Sequence, residues 1–146
     1  MSLIMNDIVL KICIAIVSAG VAYLFTSRRS LKQNVFELNK IFHSEKLFES
    51  RSKSATLLQS NTDKNIVQLA NEDDFFHLSS VLHFFSNIQN LKDGRLVDKK
   101  LTKCFFSRYF KYFDNYIDTL FLDDGSNEIQ EWLPMKQELN KLRDWL

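Results

Sequence analysis

The stretch LIMNDIVLKICIAIVSAGVAYLFTSRR, Leu3–Arg29, is one apolar run that stops at a pair of arginines. Between Ile8 and Phe25 the only charge is Lys11. A helix of that length, rising ~1.5 Å per residue, covers most of a hydrocarbon core ~30 Å thick. The run therefore reads as an N-terminal transmembrane anchor, residues 1–29, followed by a helical domain, residues 30–146. A secretory signal would put its positive charge before the apolar core and small residues after it, whereas here Asp7 precedes the core and Arg28-Arg29 follow, which argues against cleavage. Basic residues collect on the cytoplasmic side, so Arg28, Arg29 and Lys32 orient the N-terminus outward and the domain inward.

Within the anchor, Asp7, Lys11, Ala15, Ser18 and Ala22 recur at steps of three and four and share one helix face. Small residues let helices approach closely in lipid, and an ionisable residue in a span commonly faces a partner or water, so this stripe is the candidate oligomer face. The plainer reading has Lys11 snorkelling to the headgroups at the outer end, with no contact made by the stripe.

Residues 30–146 are the usual size of one small domain. The formal net charge of +1 is too small for a protein built mainly to neutralise nucleic acid. The charges are nonetheless segregated, because Lys92–Lys111 is predominantly basic and Asp114–Glu131 carries acidic residues and no basic one. Cys13 and Cys104 form neither a zinc-type nor a redox spacing, so both read as reduced structural cysteines.

Three glycines and one proline are too few for a sandwich or barrel, and apolar residues recur at helical spacing, so the fold class is all-α: one transmembrane helix and a small antiparallel bundle. Leu31, Val35, Leu38 and Phe42 continue the anchor, directly or after Ser30, as an amphipathic helix. Ser44 is a candidate cap for a helix ending near Ser60-Asn61, and Ile66, Val67, Leu69 and Ala70 fit a short one. Phe76, Val81, Phe84, Phe85, Ile88 and Leu91 mark a core helix that Asp93-Gly94 closes. Asp98 can cap the next, which ends before the turn at Asp123–Ser126. In the last helix Pro134 predicts a kink or a new start at Leu133.

Catalytic signatures are missing. Gly20, Gly94 and Gly125 are isolated, so there is no glycine-rich phosphate loop. Asp74 and His77 match a carboxylate-x-x-His spacing, but a di-iron bundle needs a second such pair. No histidine follows an arginine at the distance used by HEPN ribonucleases. Asp123–Glu128 lacks the alternating acidic loop of a calcium-binding EF-hand. No cofactor or metal is expected. The densest feature is KKLTKCFFSRYFKYF, Lys99–Phe113, in which Lys99, Lys100, Lys103, Arg108 and Lys111 alternate with aromatics. They are candidates for contact with anionic lipid or, as a weaker case, with single-stranded nucleic acid. The simplest packing has Phe105, Tyr109, Tyr112 and Tyr116 turned inward and the lysines solvated.

The layout of an N-terminal span, SEKLFESR at Ser44–Arg51, VLHFF at Val81–Phe85, a Leu91–Val97 connection and a late Trp132 resembles an uncharacterised family of short bacterial proteins with one membrane helix and a cytoplasmic helical domain. The resemblance implies a bacterial inner-membrane setting, single-pass, with the domain in the cytoplasm, and no activity. The expected function is a non-enzymatic interaction or regulatory module whose partners are the lipid bilayer and either an unidentified protein or a second copy. The alternatives are a small homo-oligomeric membrane effector or pore, as in phage defence, and an anionic-lipid or RNA-contacting domain.

Overall fold

A long first helix runs into a cluster of helices and supplies one face of their core. The computed structural model describes the backbone of residues 2–146 and the side chains of residues 14–146. Among the described residues there are six helices and no strand: α1 (Ser2–Phe42), α2 (Glu45–Ser60), α3 (Ile66–Leu69), α4 (Phe75–Asp93), α5 (Lys99–Leu120) and α6 (Asn127–Trp145). The fold is all-α. No helix among the described residues is long and apolar enough to cross a membrane. The apolar run beginning at Leu3 falls partly on residues 1–13, whose side chains lie outside the described residues.

Helix starts follow their caps. Ser44 accepts from the Leu47 amide, Asp98 from Leu101 and Ser126 from Ile129. Asn65 and Gln68 form a reciprocal capping box that lets α3 exist at four residues. Two sequence expectations are corrected at the ends and interior of helices. Gly94 has an ordinary φ of −71°, and it is Arg95 that takes the left-handed conformation, φ 55°. The Leu96 amide bonds the Leu91 carbonyl and the Arg95 amide that of Lys92, which is a Schellman closure shifted one residue along. Pro134 does not restart α6, which runs unbroken through it. Pro134 and Gln130 are both exposed, so the carbonyl deprived of its amide partner belongs to a residue open to solvent.

Side-chain pairs fix the topology. Phe84 and Phe85 of α4 meet Phe106 and Phe110 of α5. Arg143 reaches Asp114 and Lys136 reaches the Phe121 carbonyl, so α5 and α6 are antiparallel. The α2–α4 pair is antiparallel as well, with Ser50 at His77 and Lys53 at Asp74, whereas two pairs are parallel: Phe75 packs on Trp132 and Lys92 lies over Trp145 in the α4–α6 pair, and Phe36 meets Phe105 while Phe42 meets Tyr109 in the α1–α5 pair. The core is joined by Val35, Leu38 and Phe42, the buried side chains of α1. Phe42 is the hub, its ring in contact with Phe84, Phe85, Phe106 and Tyr109.

Candidate functional site

Helix α1 changes character along its length. Residues 14–30 are all exposed, among them Ile14, Ile16, Val17, Leu24 and Phe25, the last at 73%. Burial begins at Val35. The helix is continuous through Ser30, so the free apolar part and the packed part form one rod. Of the candidate oligomer face, Ala15, Ser18 and Ala22 are exposed, and Asp7 and Lys11 lie outside the described side chains.

Where α1 leaves the bundle, two basic segments distant in sequence come together. Lys32 and Phe36 of α1 line one groove with Asp98, Lys100, Leu101 and Cys104 of α5, and Arg28, Arg29 and Lys32 line another with Phe25 and Phe36. The Asn34 amide donates to the Leu96 carbonyl at 2.7 Å, which ties the α4–α5 connection to the same place. Lys99, Lys100 and Lys103 are exposed there. The first turn of α5 contains no acidic residue, so Lys99 and Lys100 stand at the positive end of its dipole, where a cation costs about 0.3–1 kcal/mol. The Asp98 carboxylate caps this end and accepts from the Leu101 amide, which offsets part of that cost.

The other end of the bundle is acidic. Asp124 accepts from Asn65 at 2.8 Å and from the Ser126 amide, and the hydrogen bonds from Ser126, then from Asn65, hold its carboxyl down at about 2. Glu72 pairs with Lys64 at 2.8 Å beside it. Helix α5 spans the distance between the two ends, ~33 Å for its length.

The five basic candidates of α5 do not form one surface. Lys100 lines the groove against α1, Lys99 and Lys103 are exposed beside it in the first turns of α5, Lys111 is exposed and lines neither groove, and Arg108 joins a site that the sequence did not reveal. The aromatic register is also corrected. Phe106, Phe110, Phe113, Ile117 and Leu120 are buried, and the expected inward stripe of Phe105, Tyr109, Tyr112 and Tyr116 is displaced onto the flank, half-buried, with Tyr109 exposed. Cys104 is exposed rather than structural, and Trp132 is half-buried.

The displaced stripe walls a groove of about 440 Å³ between α2 and α5, lined by Phe48, Arg51, Ser52, Ala55, Arg108, Tyr109, Tyr112 and Phe113. The Arg51 guanidinium stacks 4.0 Å from the Phe42 ring centroid, with Tyr109 at 5.3 Å and Phe48 at 5.5 Å. Its Nε is buried and has no hydrogen-bond acceptor. Neither Arg51 nor Arg108 has an ion-pair partner among the described residues. At the far wall Gln59 donates to the Tyr112 hydroxyl at 3.1 Å, and burial, then Tyr116, pushes the Tyr112 phenol up.

Two serines lie near histidines, Ser50 by His77 and Ser86 by His83. Ser50 Oγ lies 3.0 Å from His77 Nδ1, but Ser50 is 1% exposed, so no substrate reaches its oxygen. Ser86 bonds Glu138 rather than His83, so no histidine activates it. Asp74, the carboxylate spaced three residues before His77, lies near Lys53, and no cluster of metal-ligating side chains occurs among the described residues. Comparison with known protein families, with curated proteins and with solved structures finds no match to this chain.

Proposed function

We propose that this chain is a membrane-anchored, non-enzymatic interaction module. The apolar half of α1 enters the bilayer, the collar of basic side chains rests on anionic headgroups, and the helical bundle is presented to a partner on the cytoplasmic face. The observation that carries the reading is the meeting of Lys32 with Lys100 at the point where an apolar rod leaves the bundle, with Arg28 and Arg29 on the same side of α1 as Lys32 and with Lys99 and Lys103 exposed in the first turns of α5. Cations beside an anionic leaflet are each worth about 1 kcal/mol, and the attraction falls off within a Debye length of ~8 Å. Only the collar end then feels the leaflet, and the acidic end is held away from it. The bundle therefore has one preferred orientation on the membrane. Placement at the membrane raises the concentration of the bundle near other membrane components, which is a sufficient reason for a single anchor. The resemblance to bacterial single-pass proteins and the arginines after the apolar run favour the inner membrane with the N-terminus outside.

The test is amide exchange on the full chain in nanodiscs of phosphatidylglycerol or of phosphatidylcholine. On the anionic discs the 94–98 connection and the first turns of α5 exchange more slowly, and reversing Lys99, Lys100 and Lys103 to Glu removes the difference. Equal exchange on both lipids would refute the collar's role.

A further inference from the structure

The groove between α2 and α5 is unrelated to the collar. It lies beside Phe42, which is ~20 Å along α1 from Arg29, so it stands clear of a leaflet that the collar touches. Its walls are aromatic and its cations are two guanidiniums on different helices. Arg51 is held flat by the Phe42 ring, its Nε is buried with no acceptor, and it has no ion-pair partner. Desolvating one face of a guanidinium without giving it an acceptor is unfavourable unless an anion completes the site. Arginine beside exposed aromatic side chains is also the composition of interface hot spots. Phe48 stands 64% exposed at the rim, so the groove is open along its length rather than closed over a small molecule. The polar groups that could read a base edge are few, since the uncommitted hydroxyls are those of Ser52 and Tyr109 and the Tyr112 hydroxyl is engaged by Gln59.

We infer that this groove docks a short acidic peptide segment of a protein partner, an aromatic or leucine side chain entering between Phe48, Tyr109 and Tyr112 while neighbouring carboxylates take Arg51 and Arg108. A carboxylate matches the planar fork of arginine, and the apolar anchor fills the aromatic walls. This deepens the reading of the chain as an interaction module and rests on it. The exchange experiment on nanodiscs does not involve the groove, so either idea can fail alone.

A random peptide display library panned against the full chain in nanodiscs, with empty discs as the counter-selection, tests the assignment. The expected peptides place Asp or Glu beside Phe, Trp, Tyr or Leu. The strongest, remade with a fluorophore, binds Arg108→Glu about tenfold or more weakly and loses affinity as salt rises. Arg108 is exposed, so this variant keeps the fold, which circular dichroism checks. No enrichment, basic or uncharged peptides, or unchanged binding by Arg108→Glu would overturn the inference. So would a discrete dimer lost in Arg108→Glu, which would make a second copy the occupant.

Discussion

Arg95 holds a left-handed backbone at the end of α4, and for a residue with a Cβ that conformation costs about 1–2 kcal/mol. Glycine would hold it without the steric penalty, and Gly94 is adjacent yet has φ −71°. A strained arginine beside an unstrained glycine, in the connection that Asn34 ties to α1, is understandable where its charge is used. Arg95→Gly is predicted to stabilise the fold by about 0.5–1 kcal/mol, because the greater freedom of glycine in the unfolded chain offsets part of the gain. The same variant is predicted to attach less well to anionic discs. Urea denaturation and disc binding on one preparation check both, and loss of stability would show that the Arg95 side chain makes a contact worth more than the strain. At the same scale, the caps Ser44, Asp98 and Ser126 were legible because an oxygen three residues before an amide is a local relation. The pairing of Arg51 with Arg108 was not, because nothing in either helix's own sequence specifies the other.

Helix α5 shows where periodicity stops being informative. Phe105, Tyr109, Tyr112 and Tyr116 have helical spacing, and so do Phe106, Phe110, Phe113 and Ile117, one residue or ~100° away. Spacing alone does not choose between two aromatic stripes. Burial chooses the stripe with no hydroxyls, because each Tyr oxygen needs a partner or water, and this is the stripe the structure buries. The consequence is functional, since the tyrosines left on the flank build the groove wall. In α6 the expected break at Pro134 fails for a similar reason. The rule concerns a lost hydrogen bond, and here the orphaned carbonyl belongs to Gln130, which is exposed to solvent. Ile129, Met135, Leu139 and Leu142 are buried on both sides of the proline and anchor the helix to the core. Pro134→Ala is predicted to stabilise the protein by about 2 kcal/mol without moving α6. Thermal unfolding checks it, and a lower melting temperature would mean that the proline's packing beside Trp132 and Met135 outweighs its cost.

For the whole molecule, the all-helical class and the order of the elements follow from scarce glycine and proline and from repeated apolar spacing, all of which are local. The direction of each helix and the gathering of charge into a basic and an acidic end depend on contacts such as Phe36 with Phe105 and Asn65 with Asp124, and they became visible only in three dimensions. The charge switch within α5 was readable as a fact about the chain. Its meaning required knowing that the basic end of α5 lies against the exit of α1. Phe42 fixes the α1 rod to the core, and the proposed function requires the apolar half of that rod to be seated in a bilayer. The direct measurement is alkaline carbonate extraction of bacterial membranes containing the full chain. The protein is expected to stay with the lipid, as a chain held by an apolar helix must. Release of the chain into the supernatant, in the way peripheral proteins are released, would contradict it.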